Sequence, residues 1–94
     1  MHPSQVIRDK KMPRKLTRET FDIAFKARLR LARIGAGMSQ SEVAKELNLL
    51  QNTYSRYENR GKSILPTHLI AKFCIATNCD LWFLLAGKTL PKPK

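Results

Sequence analysis

Gln51, Asn52, Ser55 and Arg56 are the residues of this 94-residue chain best equipped to recognise a partner chemically. A side-chain amide offers a donor and an acceptor side by side, so Gln51 and Asn52 can each match the paired donor and acceptor on an adenine edge. The Arg56 guanidinium can bond guanine or a phosphate, and the Ser55 hydroxyl can serve several bases. On a helix the four would share one outward side. No set of nucleophile, base and acid is visible, nor a glycine-rich loop to hold a phosphate, so catalysis is not expected.

A positioning frame surrounds these residues. Val43, Ala44 and Leu47 recur at helical spacing, and Ser39 with Glu42 reads as a capping box that starts their helix. Backbone N–H groups at such a start can hold a phosphate. Asn48 breaks the pattern and tolerates the left-handed conformation of a sharp turn. Leu49 plugs the corner. A second short helix follows over Gln51 to Glu58, with Thr53, Tyr54 and Tyr57 on or near its inward side. The amide- and hydroxyl-rich outer side suits a helix entering the major groove of DNA.

The ordered set Leu29, Arg33, Gly37, Met38-Ser39-Gln40, Val43-Ala44, Leu47, Leu49, Asn52 to Glu58 and Gly61-Lys62 resembles the lambda-repressor/Cro-like helix-turn-helix family, also called the XRE family. Asp80 to Gly87 is similar to that family's last helix. The resemblance covers residues 29 to 87 and implies an all-α, five-helix DNA-binding domain. It implies that Gln51, Asn52, Ser55 and Arg56 touch bases. It also implies that Gln40 meets a phosphate and buttresses Gln51, while Ser39, Asn59, Arg60 and Lys62 hold the DNA backbone. The matching Arg and Glu pair in the family, which implies an Arg33–Glu58 salt bridge. The Asn59 to Ser63 loop departs from the family pattern by one extra residue, and Leu50 stands where a capping Ser or Thr is usual.

The remaining elements follow from periodicity. Thr17 or Thr20 can cap a first helix, with Asp22 in its first turn. Phe21, Phe25, Leu29 and Ala32 make its core stripe; Lys26, Arg28 and Arg30 fall outside it and are expected in solvent. Leu31 and Ile34 suggest a second, smaller apolar contact, and Gly35 to Gly37 end the helix. Pro66 and Thr67 open a fourth helix whose inner side is Ile70, Phe73, Cys74 and Thr77. His68 is expected exposed. Asn78 ends that helix, and Asp80 caps a last one over Leu81 to Ala86. The last helix is apolar on all sides and cannot bury every side in its own small core. By resemblance, Leu81, Trp82 and Leu85 are expected to pack against a second copy.

Composition agrees with one small domain. Eighteen Lys and Arg against seven Asp and Glu give a net charge of +11, which favours a polyanion partner. Residues 1–18 form a basic arm, either a solvated tail or an arm along phosphates or in a minor groove. Met12 offers an internal start. Residues 19–87 form the domain, and 88–94 a flexible tail. Cys74 and Cys79 read as buried thiols, and with His2 and His68 they lack the spacing of a metal site. No cofactor is expected. Neither an apolar run of 18 or more nor a signal-peptide pattern is present, so no membrane role is expected.

These features point to a sequence-specific regulator binding double-stranded DNA as a homodimer. The resemblance places it in the bacterial cytoplasm, with a phage or prophage origin. The chain has no room for a self-cleaving C-terminal domain, so self-proteolysis is not expected. The alternative is an antitoxin that binds DNA and also a toxin protein.

Overall fold

Thr17 caps the first helix, α1 (Arg18–Gly35), in a reciprocal box in which its hydroxyl accepts from Thr20 N and the Thr20 hydroxyl accepts from Thr17 N. With the cap at Thr17, Glu19 is the carboxylate of the first turn, and Asp22 sits one turn further in beside Arg18. The computed structural model describes residues 17–88; the parts of the expected arm and tail over 1–16 and 89–94 lie outside the described residues, while Thr17 and Arg18, expected in the arm, are the cap and first residue of α1. Four more helices follow: α2 (Gln40–Glu46), α3 (Gln51–Glu58), α4 (Thr67–Thr77) and α5 (Leu81–Ala86), with no strand among the described residues. The fold is therefore all-α.

Short connections between helices need sharp, inexpensive stops. Three helices use the same one. Gly37 after α1, Asn48 after α2 and Asn78 after α4 take left-handed backbone angles, φ 71°, 63° and 56°. At each, the following N–H reaches back five residues: Met38 to Arg33, Leu49 to Ala44 and Cys79 to Cys74, at 3.1, 2.8 and 3.1 Å. That is the Schellman motif, which satisfies carbonyls that a helix end would otherwise strand. Gly87 closes α5 with a simpler left-handed turn. Only α3 ends in extended backbone, at Asn59.

The core gathers the inner stripes: Phe25 and Leu29 from α1, Val43, Ala44 and Leu47 around α2, Tyr54 from α3, Phe73 from α4 and Leu84 from α5. Leu65 and Leu69, which the periodicity assigns to no stripe, are buried too. Ala44 lies where α2 and α3 cross, at 2 % exposure, where any larger side chain would force the helices apart. Tyr54 stacks on Phe73 at 6.4 Å, joining α3 to α4.

Two expectations for α1 need correction. Lys26 is not in solvent but 5 % exposed, and Arg28 is half-buried, donating from Nη1 to Leu84 O at 3.1 Å. Both side chains end on main-chain oxygens of another segment, which replace water around the charge. Leu31 and Ile34 make no inner contact; with Ile23 they stand 50–59 % exposed on the outer side of α1. Cys74 and Cys79 are half-buried, rather than buried, thiols. Their Sγ atoms lie 3.7 Å apart, and burial with the neighbouring Cys79 pushes the Cys74 thiol up to about 12.

Candidate nucleic-acid interface

α3 is short, and little in its own sequence holds it. Leu50 occupies its N-cap with no side-chain hydrogen bond and 77 % exposure. Its stability must come from its inner face, as for most short helices. Tyr54 is fully buried there, and Glu58 beside it is 9 % exposed.

Glu58 is the hub. Arg33 grips it from α1 through Nε to Oε2 at 2.7 Å and Nη2 to Oε1 at 3.1 Å. The Gln40 amide donates to Oε1 at 3.0 Å from the start of α2, and the Tyr54 hydroxyl donates to Oε2 at 2.5 Å. Arg33 also donates from Nη1 to Met38 O, so one guanidinium joins α1, α3 and the α1–α2 turn. Burial alone would push the Glu58 carboxyl up. The hydrogen bonds from Arg33, Tyr54 and Gln40 outweigh it and hold the carboxyl below its ordinary value. Burial, then the carboxylate, pushes the Tyr54 hydroxyl up, so it stays a neutral donor.

The outer face is left open. Gln51, Asn52 and Arg56 are exposed, and Ser55 is half-buried. The Ser55 hydroxyl accepts from Asn59 Nδ2 at 3.1 Å, which leaves it a donor for anything outside. Ser39 is engaged as the α2 cap: its Oγ accepts from Glu42 N, and the Glu42 carboxylate accepts from Ser39 N. Arg60 and Lys62 are exposed on the loop after α3, where Gly61 takes φ 136°, a backbone that L side chains rarely adopt. Gln40 departs from expectation. Its amide nitrogen is held by Glu58, and no hydrogen bond joins it to Gln51 among the described residues.

This arrangement of two helices about a left-handed Asn, the second locked inside and polar outside, is matched by a family model described as Helix-turn-helix over residues 29–81, more than half the chain. The chain belongs to the lambda-repressor/Cro-like helix-turn-helix family. It is thus a DNA-binding transcriptional regulator of the XRE type, and the matched family is a DNA-binding rather than an enzyme family. Comparison with curated proteins and with solved structures returns no match.

Sequence reasoning missed one residue of this regulator's site. Lys26 donates from Nζ to Arg56 O at 3.0 Å, to Tyr57 O at 3.3 Å and to Ser63 O. It thereby meets the end of α3 and the loop beyond it. A signal existed: Lys26 precedes Arg33 by two helical turns and shares its edge of α1. Burial lowers the pKa of its ammonium, partly offset by Asp22.

No helix among the described residues is long and apolar enough to cross a membrane.

Proposed function

We propose that this regulator binds a near-palindromic operator as a homodimer and acts as a phage- or prophage-type repressor or Cro-like switch in the bacterial cytoplasm. One observation carries the reading: α3 exposes Gln51, Asn52 and Arg56 while its opposite side is pinned through Tyr54 and Glu58. A rigid helix with amides and a guanidinium on its free side is what direct readout in a major groove requires. Gln51, Asn52 and Arg56 read bases, with Ser55 contributing its one remaining donor. Ser39, Gln40, Asn59, Arg60 and Lys62 hold phosphates and set the register, Gln40 with the part of its amide that Glu58 does not occupy. The second copy docks on α5, where Leu81 and Trp82 are 41 and 46 % exposed above a half-buried Leu85. Two α3 helices then lie about one DNA turn apart, roughly 34–36 Å.

The antitoxin reading draws on a different observation, the apolar outer side of α1 at Ile23, Leu31 and Ile34, which suits a protein partner. A toxin gene beside this one would favour it.

Selection of bound duplexes from a random pool, with affinity followed against salt, tests the main reading. The expected result is an enriched near-palindrome and a steep negative salt slope from counterion release. Asn52→Ala should cost about 1–3 kcal/mol on the enriched duplex and much less on random DNA. Equal losses on both would remove Asn52 from base reading.

A further inference from the structure

We propose that Lys26 is a positioning residue for DNA binding: its ammonium closes the C-terminal end of α3 and fixes how that helix and the following loop face the duplex. The inference rests on the reading of α3 as the groove-entering helix.

α3 is the one described helix that ends without a left-handed residue, since Asn59 is extended at φ −94°, ψ 162°. Asn59 N reaches back to Ser55 O at 3.1 Å, but no backbone N–H of a closing turn takes the carbonyls of Arg56 and Tyr57. Carbonyls stranded at a part-buried end would destabilise the last turn. Lys26 supplies what the turn lacks. Two of its protons go to Arg56 O and Tyr57 O, and the third goes to Ser63 O. An ammonium has three donors and no acceptor, so this site satisfies it completely. Its positive charge also sits at the negative end of the α3 dipole.

The third bond gives the clamp its reach. Ser63 lies beyond Arg60 and Lys62, so one ammonium joins the end of α3 to the far end of the loop that carries both cations. Arg33 and Lys26 thus hold successive features of α3 from one edge of α1, the first through the Glu58 side chain and the second through the backbone. Lys26 lies before residue 29, where the family match begins. The clamp therefore belongs to the part of α1 that lies outside the matched region.

The test uses the full chain with Lys26→Met and Lys26→Gln, the latter keeping two N–H donors. The duplex enriched from a random pool and a random duplex are compared over a range of salt, and backbone amide exchange is followed without DNA. Lys26→Met should stay folded and exchange faster at Tyr57, Glu58 and Asn59, with Val43 and Phe73 unchanged. Its affinity for the enriched duplex should fall by a factor of roughly 10 to 100, the scale of a lost base contact, with random-duplex affinity and salt slope unmoved. Lys26→Gln should recover part of both effects, and it carries the same comparison if Lys26→Met does not fold. Exchange that rises evenly over the domain would overturn the proposal, because Lys26 would then serve stability alone. Equal losses on both duplexes, with a slope shallower by about one, would make Lys26 a phosphate contact instead. A wild type that prefers no duplex sinks the DNA reading separately, and the exchange result still decides whether Lys26 closes α3.

Discussion

At the scale of single residues, the site hangs on one carboxylate. The Glu58 side chain is 2 % exposed and the Arg33 side chain 13 %, so neither charge can fall back on water if its partner is lost. Glu58→Gln should cost about 3–5 kcal/mol, because it strands the guanidinium, and a thermal melt measures it. The loss should depend on pH in a defined sense. The folded carboxyl titrates below its ordinary 4.5, so its stabilisation is complete above 4.5 and fades as pH drops through the lower folded value. The gap in melting temperature between wild type and variant should therefore narrow in acid. A gap that stays constant down to acid pH would rule out the carboxylate as its source. Arg33 and Glu58 could be matched from the sequence because both stand at positions the family shares. Lys26 could not be placed as readily: an isolated Lys beside a core stripe reads as solvated, and its partners are carbonyls, which every residue has.

At the scale of helices, punctuation was the most legible feature. Asn48, Asn78, Gly37 and Gly87 announce their stops because few residues accept left-handed angles without strain. The Ser39–Glu42 box announces the start of α2 in the same way. α3 has neither device, yet the bounds expected for it, Gln51 to Glu58, are those of the structure. Its start can be improved. Leu50 is exposed at an N-cap that lacks a side-chain bond, so Leu50→Ser should stabilise the protein by about 1 kcal/mol and raise the melting temperature by several degrees. A lower melting temperature would mean that Leu50 has a contact that outweighs a cap. The outer side of α1 shows the limit of periodicity. Leu31 and Ile34 recur at helical spacing, yet periodicity cannot say whether anything faces them.

At the scale of the whole molecule, the charge of +11 and the two faces of the fold divide the labour. One face exposes α3 and the loop cations, and α5 exposes Leu81 and Trp82, the surface proposed to meet a second copy. Trp82→Lys should leave the thermal melt of the monomer fold intact while shifting sedimentation from dimer to monomer. A wild type that sediments as a monomer at every concentration would refute docking through α5. That face could be read in outline from the sequence, since an all-apolar short helix cannot be buried on every side. Leu81 and Trp82, named there by resemblance, are exposed, whereas Leu85, named with them, is half-buried.

The placement of Phe25 and Leu84 sets where this protein can be cut. Both are essentially sealed from water, at 1 and 0 % exposure, and both fall beyond the limits of residues 29–81. A fragment trimmed to those limits would open a hole at each flank of its interior. The stretch that the family model matches is thus narrower than what must fold together, and the smallest piece worth expressing runs at least from Thr17 to Gly87.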